Sequence, residues 1–149
     1  MLDSLRRWKG WLGFLAVFES LGVTSDREGV GRRGESLACR ALRRQGYQIL
    51  ARRLRSRLGE VDIVAREGAV LVFIEVKTRR SGKFGRPVDA VGPGKRRKLI
   101  TLARAFLKRH RLGEDRVRFD VVSVELSPDR PARVDIHRGA FAEADDRAI

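Results

Sequence analysis

Asp62, Glu75 and Lys77 are ionisable side chains set inside apolar runs, and their types suit the hydrolysis of a phosphodiester. The run Val70-Leu-Val-Phe-Ile-Glu-Val-Lys77 reads as a buried strand that places a carboxylate and an ammonium on one face. Glu60-Val-Asp-Ile-Val-Ala65 reads as a second strand, with Asp62 on the same face as Glu60 and Val64. Charges in such strands are costly unless they are paired or hold a metal. Glu67-Gly68 signals a hairpin between the two runs, which makes them neighbours and carries Asp62 towards Glu75. Two carboxylates so close repel, and one pKa rises unless a cation lies between them.

Hard divalent cations, Mg²⁺ or Mn²⁺, take oxygen ligands, commonly one or two carboxylates completed by water and substrate phosphate. Asp62, Glu75 and the backbone carbonyl of Val76 supply such a set. Lys77 is then placed to orient or deprotonate an attacking water and to offset charge on the phosphorane. Glu60, at the start of its strand, reads as a solvated carboxylate. Asp120 interrupts the apolar strand Arg116–Leu126 without an E-x-K partner and reads as structural, paired with a nearby arginine.

The elements that position these residues emerge from periodicity. Leu37, Ala38, Ala41 and Leu42 recur at helical spacing over 34–45, and Gly46 stops that helix. Strands are predicted over 47–54, 60–66, 70–77, 116–126 and 133–137, and a second helix over 95–111 with Leu99, Leu102, Ala103, Phe106 and Leu107 on one face. Residues 20–31 read as a linker and 78–94 as a long loop. The order α-β-β-β-α-β-β predicts an α/β protein with one mixed sheet flanked by helices. Three segments result: an amphipathic helical extension over 1–24, a domain over 31–137 and an acidic tail over 138–149.

The chain has 149 residues, enough for one domain with its own core, and a formal net charge of +14. That excess calls for a polyanionic partner, with DNA ahead of an anionic membrane surface. Basic residues bracket the carboxylates: Arg53, Arg55 and Arg57 before them, then Arg79, Arg80, Lys83, Lys95, Arg96 and Arg97 after. This pattern predicts a phosphate track with salt-sensitive binding that is largely independent of sequence. Few aromatics (7%) and no stacking platform count against a single-stranded RNA module. The single cysteine, Cys39, excludes an internal disulfide and reads as a small buried hydrophobe in a reducing cytoplasm. His110 and His137 fit no zinc spacing. The apolar stretch near the N-terminus is interrupted by Glu19 and is too short to span a bilayer, so it reads as a helix packing on the domain, a second subunit or a membrane surface.

Asp62 followed by Glu75-x-Lys77 resembles the PD-(D/E)xK nuclease signature. Gly34-Glu35, Gly59-Glu-Val-Asp62, Phe73-Ile-Glu-Val-Lys-Thr-Arg79 and Lys95-Arg-Arg-Lys-Leu99 more specifically resemble the bacterial YraN-like family, related to archaeal Holliday-junction resolvases. The resemblance covers residues 31–126, and Val61 stands where the strict motif has proline. It implies a restriction-endonuclease-like fold and a metal-dependent endonuclease acting on branched or damaged DNA as a homodimer. It also implies that Asp62 and Glu75 bind metal, that Lys77 is catalytic, and that Glu35 completes the site from its helix. The alternative is a catalytically silent nucleic-acid-binding module that keeps the nuclease fold.

Overall fold

The computed structural model describes residues 28–80, 91–111 and 116–142. Among them are two helices, α1 (Glu28–Arg44) and α2 (Pro93–His110), and five strands: β1 (Gln48–Ser56), β2 (Gly59–Glu67), β3 (Val70–Arg80), β4 (Val117–Leu126) and β5 (Arg133–Phe141). Their order along the chain is the expected α-β-β-β-α-β-β. The strands form one mixed sheet in the order β1-β2-β3-β4-β5. Among these strands only the β3–β4 pair is parallel, with Leu71 beside Val117 and Arg80 beside Leu126. A parallel pair needs a crossover connection, and α2 lies within it.

The central strand β3 is buried on both faces, which explains its unbroken apolar run. Leu71 and Phe73 pack under Leu99, Leu102, Ala103 and Phe106 of α2. Val72 and Ile74 pack on the other side, under Ala38, Cys39 and Leu42 of α1. Phe73 meets Phe106 edge-on, with ring centroids 5.6 Å apart. Cys39 is buried as a small hydrophobe, and burial pushes its thiol pKa up. No helix among the described residues is long and apolar enough to cross a membrane.

Three expected boundaries move. The first helix begins at Glu28, so Gly29 and Gly31 are helical and not part of a linker. Each glycine costs a helix roughly 1 kcal/mol relative to alanine, but a helix already nucleated on its buried face extends with one new bond per residue. Thr78–Arg80 are not loop, because β3 continues beside Val124, Glu125 and Leu126 of β4. A polar tail on a strand carries no apolar signal, and only the parallel partner defines it. Likewise β5 runs on through Phe141, four residues past the expected end, across a bulge at Phe119/Val121. Phe141 is buried against Phe119 with centroids 5.1 Å apart. Gly139, at φ +59, adopts the left-handed conformation there. The extension over 1–24, the loop tip with Lys83 and the acidic residues from 143 onward lie outside the described residues.

Asp120 is fully buried and structural. One carboxylate oxygen accepts Arg118 Nε at 2.7 Å and the Gly139 N–H at 2.9 Å. The other accepts the Tyr47 hydroxyl at 2.9 Å and Arg118 Nη2 at 2.8 Å. Arg118 also donates to Glu67, which binds Arg138 in turn, so the cluster clamps β2, β4 and β5 together.

Helix α1 is seated on β3 by a close approach. A Cβ on Gly34 would strike Thr78 Oγ1 and crowd Thr78 Cβ and Cγ2. We therefore expect Gly34→Ala to destabilise the protein by about 1–3 kcal/mol in denaturant unfolding, as overpacking does. Thr78→Ala in that background, which deletes Oγ1 and Cγ2, should recover part of the loss.

Candidate active site

The ladder between β2 and β3 runs from Glu67–Val70 back to Ile63–Ile74 and stops there. One step further, the Val76 N–H is bound by Asp62 Oδ2 at 2.8 Å in place of a backbone carbonyl. The local backbone prepares this exchange. Arg53, across from Asp62 on β1, sits at φ +52, a left-handed conformation that is unfavourable for a residue with a side chain. Ile63 packs with the α1 side of the core, whereas Val61 packs with the α2 side. Strict alternation therefore fails at Asp62, which reaches across to β3 and comes to face Glu75.

Glu75 is only 5% exposed. Its Oε1 lies 3.3 Å from Lys77 Nζ, on the same strand, as the E-x-K spacing requires. Its Oε2 lies 3.5 Å from Nζ of Lys95, in the first turn of α2, but makes no hydrogen bond. Asp62 is pushed up to a pKa of about 7, first by burial and then by the charge of Glu75. The Val76 N–H and the Lys95 ammonium pull the other way. The arrangement sets half-buried Asp62 against buried Glu75, with an ammonium on each oxygen of Glu75.

The other residues singled out from the sequence divide between this pair and its surroundings. Glu35 shares a cleft of about 110 Å³ with Gly31, Arg53, Arg55 and Asp62. Its carboxylate is held by Arg53 Nε at 2.8 Å, with Arg52 Nη2 at 3.7 Å. Among the described residues no three His, Cys, Asp or Glu side chains converge to hold a metal. Glu60 is exposed and paired with Arg55 at 3.2 Å. Arg57 is exposed in the β1–β2 turn, and Arg79 and Arg80 end β3. Arg97 is exposed on α2. Arg96 turns inward, donating to the Val91 carbonyl at 2.8 Å and covering the Phe141 ring at 5.5 Å. Lys95 stands out in the sequence only as one of a basic run. No local pattern reveals that its partner is Glu75, twenty residues earlier.

Fold and site together describe a mixed-sheet α/β protein whose β2–β3 hairpin ends in two carboxylates and a lysine, Lys77, met by Lys95 from α2. Residues 34–124 match the Uncharacterised protein family UPF0102, and the chain belongs to that family, the YraN-like group its motifs resemble. It is 46% identical to the UPF0102 protein STH1475 of Symbiobacterium thermophilum over 112 residues, covering 75% of this chain and 95% of that protein. It is 48% identical to a UPF0102 protein of Geobacter sulfurreducens over 113 residues, covering 75% and 88%. Among solved structures it is similar to Archaeoglobus fulgidus Hjc, a Holliday junction resolvase, at 19% identity and a TM-score of 0.38, covering 76% of this chain and 91% of that one.

The Asp62 shift fixes the sign of a pH effect. An unfolded aspartate titrates near about 3.9, so the native state holds a proton that the unfolded chain gives up. That contribution is fully present below about pH 4 and is lost as pH rises towards about 7, above which the charge on Asp62 opposes folding. Asp62→Asn removes the charge and keeps an oxygen for the Val76 N–H. In chelator it should raise Tm by about 4 °C or more near pH 8 and leave it unchanged near pH 4. Equal shifts at both pH values would refute the assignment.

Proposed function

We propose that this protein is a metal-dependent DNA endonuclease that hydrolyses phosphodiester bonds, with Asp62 and Glu75 as metal ligands and Lys77 as the catalytic lysine. The observation that carries this reading is the pairing of half-buried Asp62 with buried Glu75, with Lys77 and Lys95 on the two oxygens of Glu75. A protein that only docked on phosphates would gain nothing from holding two mutually repelling carboxylates together, one of them buried, beside its basic surface.

The donor set fits a hard divalent cation. Glu75 Oε2 is buried without a hydrogen bond, and two carboxylates are what Mg²⁺ or Mn²⁺ commonly takes from a protein. The Val76 carbonyl is the third candidate ligand: in an extended strand a residue's N–H and C=O point to the same neighbour, and the Val76 N–H points to Asp62. When bound, the cation supplies positive charge that polarises a phosphoryl oxygen and lowers the pKa of water. Lys77, anchored on Glu75, is 32% exposed and so reaches both the carboxylate and the solvent from which water arrives. Its ammonium orients that water and offsets charge on the phosphorane. Arg57, Arg79, Arg80 and Arg97 hold the DNA backbone. The preference for branched or damaged DNA rests on the family's resemblance to junction resolvases.

One observation favours the alternative, a catalytically silent module: Arg53 Nε holds the Glu35 carboxylate at 2.8 Å and so occupies the helix carboxylate that would complete the site. Incubation with branched and linear DNA in Mn²⁺ and in chelator separates the two. The nuclease reading expects Mn²⁺-dependent cleavage that Glu75→Gln and Lys77→Ala each lower at least about a hundredfold. Products identical to wild type from Glu75→Gln would mark the cleavage as contaminating and leave the silent module.

Binding offers a second check. Affinity for duplex DNA should fall steeply with salt, and Arg57→Ala should reduce the log–log slope by roughly 1, the signature of one lost phosphate contact. Arg96→Ala should lower stability and leave the slope unchanged, because its guanidinium is committed to Val91 and Phe141.

A further inference from the structure

The two lysines on Glu75 are not equivalent. Lys77 shares a strand with its partner, so its ammonium is delivered to Oε1 by the pleat itself. Lys95 arrives from a different element, and its partner Oε2 is the buried oxygen that makes no hydrogen bond. The Lys95 contact is therefore an ion pair held by charge alone, at the looser of the two distances. Lys95 also lowers the cost of ionising Asp62, so its charge acts on both carboxylates.

We propose that Lys95 is the resident counter-ion of the Asp62–Glu75 pair and that a divalent cation displaces it, so that Lys95 sets the metal affinity of the site. The inference rests on the reading of Asp62 and Glu75 as metal ligands. A divalent ion placed between the carboxylates takes over the charge that Lys95 supplies, and its repulsion of the ammonium weakens the hold of Glu75 on Lys95. Lysine suits this part because its ammonium is a point charge on a flexible four-carbon stem, free to leave without dismantling a fixed fork of hydrogen bonds.

The position of Lys95 decides where its charge goes after displacement. The first turn of α2 carries no acidic residue, and its N-cap, Gly92, makes no side-chain cap. An ammonium in that turn opposes the helix dipole, and the contact with Glu75 offsets this. Once displaced, Lys95 sits at a helix N-terminus with its charge uncompensated, where a phosphodiester supplies the missing anion. Metal and DNA binding are thereby positively coupled through one side chain.

The test is Mn²⁺ binding by calorimetry, without DNA, on wild type, Lys95→Gln, Lys98→Gln and Glu75→Gln, with thermal melts in chelator. Lys98 is an exposed charge of the same helix end and reports the general effect of removing one positive charge. Lys95→Gln should lower Tm in chelator and tighten Mn²⁺ binding about tenfold. Lys98→Gln should leave Tm unchanged and alter Mn²⁺ binding less than about threefold, since an exposed charge is screened. Mn²⁺ binding to Lys95→Gln where wild type shows none would also support the proposal. Unchanged or weaker binding by Lys95→Gln, or equal effects of the two lysine variants, would overturn it while leaving the metal ligands standing. Mn²⁺ binding that survives Glu75→Gln undamaged, or no binding by any variant, overturns the ligand assignment and this inference together.

Discussion

The structure turns on the place where the β2–β3 ladder gives out. Past Ile63–Ile74 the Val76 N–H takes the Asp62 carboxylate instead of a carbonyl, which brings a second negative charge against buried Glu75. Two carboxylates so placed, one of them buried, need a cation or a proton to relieve their repulsion. Much of the surrounding architecture meets that demand. The E-x-K spacing supplies Lys77 from within the strand, and the crossover between β3 and β4 returns α2 over the same face with Lys95 in its first turn. On the far side, Gly34 lets α1 settle on β3 near Thr78, one residue past Lys77.

The basic excess of the chain has an internal division that a net charge conceals. Arg53 is tied to Glu35, Arg96 to the Val91 carbonyl and Phe141, and Arg118 and Arg138 to the cluster around Asp120 and Glu67. These guanidinium groups hold elements together, a use that suits their planar fork of donors. Arg57 and Arg80, at a turn and a strand end, present their charge to solvent instead. A run of basic letters thus mixes two populations, and tertiary contacts sort them.

What could be read from the letters divides along the same line. The apolar runs around Asp62 and Glu75, the turn at Glu67-Gly68 and the helical spacing of Leu99, Leu102, Ala103 and Phe106 are local patterns, and each element formed where its pattern predicted. The E-x-K contact is local too, since one strand fixes both residues. The polar end of β3, the tail of β5 beyond its bulge, the Arg53–Glu35 pair and the Lys95–Glu75 pair depend on partners far along the chain. Helical Gly29 and Gly31 belong to the same group, because burial elsewhere on α1 overrides their poor propensity.

Asp62 and Asp120 show how such a distinction is made once the partners are known. Both interrupt apolar strands, and from the sequence they differ only in whether an E-x-K comes after them. In the fold, Asp120 is closed to water and surrounded by donors: Tyr47, two nitrogens of Arg118 and the Gly139 amide occupy both of its oxygens. A carboxylate so satisfied has no capacity left for a ligand, and its place is to lock strands in register. Asp62 receives one backbone N–H on Oδ2 and faces a second carboxylate, the arrangement that drives its pKa up. The fold places this unmet demand for positive charge beside a cleft and in reach of two lysines, whereas the demand at Asp120 is fully met. Burial alone therefore does not mark a functional carboxylate. The deficit of donors around it does, because only an under-satisfied carboxylate gains from binding a cation that arrives from outside.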